Sequence, residues 1–225
     1  MRRLMAGGRA FAAQKLTWTG LGGAALLAAI AYGPLARRWY LTYGATEEEV
    51  ARAMDGDELL PEPDLVSTRA ITINAPPSAV WPWLVQMGSG RGGAYTYDWI
   101  ENLFGLDMHS ADEILPQFQH LAAGDVLPLG PNGPRMRVEI CDAASTLAFR
   151  SEDNRWVWIF ALCPQRGVTR LISRNRIVAP NTSFAWRLVN RLIMEPGSLI
   201  MERKMLIGLR DRAESLAPTP DPLPA

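Results

Sequence analysis

The sequence predicts an α+β fold: an antiparallel sheet wrapped on a long C-terminal helix, preceded by one transmembrane helix. Three observations predict it. An apolar stretch without a single charge runs from Leu16 to Leu35. Short alternating segments follow one another from Asp125 to Val178 with only turn residues between them. A long amphipathic segment, Ser198 to Leu216, then closes the ordered part of the chain.

The first element is the stretch LTWTGLGGAALLAAIAYGPL, about as long as a helix must be to cross the hydrocarbon core. Arg2, Arg3, Arg9 and Lys15 precede it, and Arg37 and Arg38 follow. Trp18, Tyr32, Trp39, Tyr40 and Tyr43 lie near its ends, where aromatic belts form. A cleaved signal peptide and a buried soluble helix are the competing readings. The stretch is longer than an ordinary signal core, and the small residues near Ala29–Tyr32 make no convincing A-x-A cleavage site. Gly20, Gly22 and Gly23 weaken the soluble helix. The expectation is a basic tail over 1–15, a single membrane span over 16–36 and a linker over 37–66. The excess of basic residues before the span sets the N-terminus inside and the domain outside the cytoplasm.

The soluble elements follow in order. Thr46–Arg52 reads as a helical turn or two, and Asp55–Asp64, with Pro61 and Pro63, as an extended connector. Ser67–Asn74 is β-branched and alternating, hence a strand. Ala75-Pro76-Pro77-Ser78 starts a helix to Met87, Gly88–Gly93 turns the chain, and Tyr97–Phe104 forms a second helix. Strands are expected over Asp125–Leu129, Arg135–Cys141, Thr146–Ser151, Arg155–Cys163 and Gly167–Val178, as an antiparallel meander. The last helix follows a break at Glu195-Pro196-Gly197. It carries Met201, Met205, Leu209 and Leu216 on its apolar side and Glu202, Arg203, Arg210 and Glu214 on the other. The soluble domain thus spans 67–217, and the Pro-rich end, 218–225, is expected to be disordered.

Lys+Arg 23 against Asp+Glu 23 gives no general pull toward polyanions, and no basic tract is interleaved with aromatics, so nucleic acid is excluded as a partner. Cys141 and Cys163 lie on strands separated by a third, roughly 10 Å apart, and read as free thiols. Gly88–Gly93 matches G-x-G-x-x-G, but it follows a helix where a dinucleotide loop must follow a strand. No nucleophile signature and no paired metal-ligand spacing is present, so neither metal nor cofactor is expected.

The opening ITINAPPSAVWPWLVQMG (71–88), the GRGGAYTYDWIENL stretch (90–103), TRLISRNR (169–176) and MERKMLIGLRDRAE (201–214) together resemble the SRPBCC superfamily. These are the START-like, helix-grip proteins, which include the polyketide cyclase/dehydrase group. The GRGGAYTYDW block is similar to a bacterial subgroup of unknown function with an N-terminal membrane anchor. The resemblance covers roughly Thr68 to Leu216. It implies a central hydrophobic pocket and no particular reaction.

Within such a fold the cluster Arg91, Tyr95, Tyr97, Asp98, Glu101 and Asn102 borders the pocket entrance. Arg91 is then placed to hold a carboxylate or phosphate, with hydroxyls from Tyr95 and Tyr97. Asp98 or Glu101 would act as general base if burial raised its pKa. The structural alternative is an Arg–carboxylate bridge fixing the glycine-rich turn. Trp156, Trp158 and Phe160 form an aromatic wall, and Met201 and Met205 face it from the last helix. They serve equally as core or as pocket lining. Arg170, Arg174 and Arg176 share one face of the last strand. The expected function is a membrane-anchored binder of an apolar small molecule or lipid. The alternatives are a cyclase-, dehydrase- or hydrolase-type enzyme with a pocket carboxylate, and an interaction module with a filled core.

Overall fold

Antiparallel pairing organises the chain. In the computed structural model, which describes residues 33–131, 133–179 and 183–216, six strands form one sheet of order β1-β6-β5-β4-β3-β2. They are β1 Leu65–Ile73, β2 Val126–Pro128, β3 Arg135–Asp142, β4 Thr146–Ser151, β5 Trp156–Gln165 and β6 Val168–Ile177. From β2 to β6 each strand pairs with its successor, as the short turns require. β1 closes the sheet against the last strand, with Leu65 opposite Ile177 and Ile73 opposite Thr169.

The helices are α1 Pro34–Leu41, α2 Glu47–Ala51, α3 Pro77–Val85, α4 Asp98–Leu103, α5 Phe184–Val189 and α6 Glu195–Leu216. The chain divides into two units, Met1–Tyr40 and Leu41–Ala225. Of the first, only Gly33 and the residues of α1 up to Tyr40 are described. The expected span over 16–36 lies outside the described residues except for its last few, as does the tail over 218–225. Among the described residues no helix is long and apolar enough to cross a membrane.

Period-two alternation gives the sheet two apolar faces. The inner face carries Phe160, Leu162, Leu171 and Ile73, packed against Trp83 and Leu84 of α3 and against Met205, Leu206 and Leu209 of α6. Burying each such side chain stabilises the fold by about 1.5–3 kcal/mol. The outer face carries Ala148, Val157, Ile159 and Ile172, and it is covered by Met54 and Leu60 from the segment before β1. The stretch expected as an extended connector therefore forms a cover, with a 3₁₀ turn at Asp57–Leu59. Its first helix, α2, starts at a reciprocal cap: Thr46 Oγ1 accepts from the Glu49 amide while Glu49 accepts from the Thr46 amide.

The arginine row of β6 faces this cover. Arg174 Nη1 donates to Asp57 Oδ2 at 2.6 Å and to the Arg52 carbonyl, and its other nitrogens reach Thr68 Oγ1 and the Glu49 carbonyl. Arg170 pairs with Glu49 and Arg176 with Asp57. These guanidiniums are paired on the outer face and place no charge in the interior.

Three expectations about the last helix are corrected. No break occurs at Glu195-Pro196-Gly197, where α6 begins directly after a π-helical turn at Asn190–Met194 that follows α5. Pro196 lacks the N–H that an α-turn there would use, and a wider turn accommodates the loss. Glu202 is not on the solvated side. It is buried and paired with Arg69, which points inward from β1 and is itself fully buried. Leu216, expected on the apolar side, is exposed. Cys141 and Cys163 are free, on β3 and β5 with β4 between them.

Candidate functional site

Where the meander's open edge meets the turn after α3, the inner face is not completely filled. A cavity of about 40 Å³ is lined by Met87, Ala94, Met108, Leu127, Leu129, Met136, Phe149 and Trp158, with Gly88. Its wall is apolar throughout and contains no ionisable side chain. Trp158 is fixed by its neighbours: it stacks on Trp156 at 5.7 Å between centroids, and its Nε1 donates to Ser173 Oγ at 3.0 Å. Trp156 Nε1 likewise donates to Asn175 Oδ1 at 2.8 Å. Both indole N–H groups are thereby satisfied by β6, which leaves the ring faces to line the interior.

Behind these indoles lies a polar network that sequence reading missed. Arg69 bonds Glu202 and the Ser198 hydroxyl, and Asn175 Nδ2 donates to the Glu202 carboxylate. Burial pushes the Glu202 carboxyl up, and the Arg69 guanidinium pulls it back. The one available signal was Arg69 itself, an arginine at an inward position of an alternating strand.

The other wall is built by the loop from Gly88 to Ser110. Gly88 and Gly93 form a single antiparallel bridge. Gly93 has φ +71°, and a Cβ there would lie 2.7 Å from the His109 backbone, so only glycine fits. Asp98 at the start of α4 accepts from Ser110 N at 2.8 Å and Ser110 Oγ at 2.6 Å. Asn102 exchanges two bonds with the backbone of Met108. Asp98 and Asn102 thus hold the segment that presents Met108 to the cavity.

The predicted polar cluster is dispersed. Among the described residues Arg91 makes no carboxylate bridge. It lies over the Phe118 ring at 4.5 Å and donates to the carbonyls of Val85 and Phe118, and burial lowers its pKa. Tyr95 is buried with its hydroxyl donating to the Trp83 carbonyl at 3.0 Å, and burial raises its pKa. Its backbone, at φ 57°, is approached so closely by α6 that a Cβ at Gly208 would lie 2.7 Å from its carbonyl oxygen. Tyr97, half-buried, is the residue preceding α4, and its ring lies beneath Lys204 Nζ of α6 at 5.9 Å. Glu101 is buried, and burial raises its pKa, the Asp98 charge adding to the effect and Thr96 opposing it. Among the described residues neither Glu101 Oε2 nor Thr96 Oγ1 makes a hydrogen bond of good geometry, so Thr96 acts on the carboxyl only as a nearby hydroxyl.

Of the predicted binding residues only Trp158 lines the cavity. Trp156 supports it, Phe160 and Met205 are packed into the core, and Met201 is half-buried on α6. Among the described residues no cluster of His, Cys, Asp and Glu is arranged to hold a metal ion.

No family model matches the chain, and no curated protein matches it. Solved structures similar to it include the KanY protein, 14% identical over 67% of this chain and 97% of that one, with a TM-score of 0.44. Protein MLL2253 from Mesorhizobium loti is 16% identical over 68% and 100%, with a TM-score of 0.42. The polyketide_cyc-like protein Cgl2372 from Corynebacterium glutamicum is 13% identical over 67% and 91%, with a TM-score of 0.35. Likeness at this level carries no conclusion about activity. The architecture rests on the strand order and the helix laid across it: a six-stranded antiparallel sheet with a long C-terminal helix fits a helix-grip α+β fold.

Proposed function

We propose that this domain binds a small apolar molecule in the cavity beside Trp158, and that residues 16–36 tether it to a membrane with the domain outside the cytoplasm. One observation carries the binding reading: the cavity wall is entirely apolar, and three of its residues, Met87, Met108 and Met136, are methionines. Unbranched thioethers change rotamer at small cost and fit walls that must reshape around a guest. A space of about 40 Å³ holds no more than a few waters, whereas drug-sized ligands occupy roughly 300–1,000 Å³. Binding therefore needs the wall to yield. The wall built to yield is Leu127 and Leu129, on and beside a three-residue edge strand paired on one side only.

Native mass spectrometry of the full chain, released from detergent micelles and compared with Ala94→Leu, tests this. Leucine at position 94 fills the cavity from its wall. The expected result is an apolar mass retained by the parent and absent from the variant. A clean apo mass for both, unchanged after incubation with a lipid extract, overturns the binding reading.

The small volume also supports a second reading, a non-catalytic interaction module whose core is filled by Trp158, Phe149 and Met136. Catalysis by a pocket carboxylate has less support, because Asp98 is committed to Ser110 and neither it nor Glu101 lines the cavity.

A further inference from the structure

The helical segment before and into α6 has an exposed face that the domain does not use. Phe184, Leu188, Ile193, Met194 and Ile200 are 75%, 46%, 61%, 59% and 57% exposed. Spacings of four, then five through the π-helical turn, keep Phe184, Leu188 and Ile193 in one stripe. Arg187 and Arg191, four apart and exposed, flank it on a common side. Ile200 is followed one turn later by Arg203 and Lys204. An apolar stripe bordered by cations, with aromatic and large aliphatic residues outward, is the pattern of a helix that lies in a bilayer interface.

Chain length gives the same direction. Tyr43 is held at α6, where Arg203 Nε donates to its hydroxyl at 2.9 Å. Leu35, at the end of the uncharged stretch, is at most roughly 28 Å along the chain from Tyr43, whatever its conformation. Along the helix, Ile200 lies about 5 Å and Ile193 about 15 Å from Arg203. The exposed stripe thus lies on the same helical segment as the anchor point of Tyr43, and the stretch read as a span lies within a short length of chain of it. Tyr97, beneath Lys204, brings the start of α4 beside the same helix, and α4 exposes Trp99 and Leu103.

We infer that Phe184–Ile200 docks in the interface of an anionic bilayer, with Leu188 and Ile193 below the headgroups and Arg187 and Arg191 at the phosphates. The inference rests on the tether reading for its geometry, and the test separates the two. In a Cys141→Ser/Cys163→Ser full chain reconstituted into phosphatidylcholine vesicles, with and without phosphatidylserine, single nitroxides are placed by Leu188→Cys, Ile193→Cys, Asp211→Cys and Ala25→Cys. Oxygen and a water-soluble nickel chelate then compete for each label. The expected result is that labels at 188 and 193 are reached by oxygen and not by nickel when phosphatidylserine is present, while the label at 211 is reached by nickel. Adding Arg187→Glu/Arg191→Glu should lower the docked-to-free ratio by at least about five-fold for each arginine removed.

Labels at 188 and 193 open to nickel in every vesicle overturn the docking, even if the label at 25 is buried in lipid. A label at 25 open to nickel overturns the tether alone, and docking stands if 188 and 193 remain lipid-exposed. Labels at 188 and 193 shielded from both reagents, or already shielded without vesicles, assign the face to protein and overturn the inference.

Discussion

Glu101 is a buried carboxyl without an ion-pair partner among the described residues. Its folded pKa is raised by burial, so the penalty of carrying a charge is fully present above that raised pKa. The penalty disappears as pH falls through the raised value to below the ordinary one. Glu101→Gln is therefore expected to raise the urea midpoint at pH 7, with the advantage over the parent shrinking to nothing toward pH 4. An advantage independent of pH would show that the gain is packing and not charge. Glu202 is the opposite case, with Arg69 in contact. Removing one partner leaves a buried charge, so Glu202→Gln and Arg69→Met should each cost about 3–5 kcal/mol in denaturant unfolding. The double change Arg69→Met/Glu202→Leu should cost clearly less than the sum, because no charge remains to be solvated. Strict additivity would mean the two groups do not act as a pair.

Among the elements, the cover over the outer face depends on β6 more than on its own helices. α2 has five residues and no buried side chain, far too short to persist alone. Arg174 holds it by the carbonyls of Glu49 and Val50 and holds the next turn by Asp57. Arg174→Leu should free this segment before the sheet unfolds, with a global cost of about 3 kcal/mol. Limited trypsin digestion reads the difference as early cleavage at Arg52. An unchanged digestion pattern would show that Met54 and Leu60 hold the cover by apolar packing alone. The strands themselves were legible in the sequence, because Gly130-Pro131, Glu152-Asp153-Asn154 and the Trp156–Leu162 alternation are local signals. The role of residues 45–60 was not, since a short acidic helix reads alike whether it is solvated or pinned by arginines more than a hundred positions later.

For the whole molecule, the same limit explains what the sequence left open at the site. Aromatic alternation on β5 announces an inward wall. Whether that wall encloses space depends on how Phe149, Met136 and the 87–94 turn meet, and that is a matter of packing across five elements. The polar cluster at 91–102 looked like a pocket mouth because its members are close in sequence. The fold sends Tyr95 inward, Tyr97 beneath Lys204 of α6 and Asp98 to a loop amide. At this scale the tether is tested by alkaline carbonate extraction. The full chain should stay with the membrane pellet, whereas Leu26→Arg/Ile30→Arg, at roughly 3 kcal/mol per central arginine, should move it to the supernatant. Retention of the charged variant would exclude the span.

The pairing of the first strand with the last also sets a clock on biosynthesis. Leu65 meets Ile177 and Ile73 meets Thr169, contacts separated by roughly a hundred residues. Such contacts form late, because a long loop must close before they give anything back. At about 5–20 residues per second, β1 leaves the ribosome some 5–20 s before its partner exists. During that interval Arg69 lacks both Ser198 and Glu202, and Ala70 and Ile73 have no sheet to join. A nascent chain stalled before β6 should therefore expose β1 to proteases and chaperones, and lose that exposure only when α6 has followed.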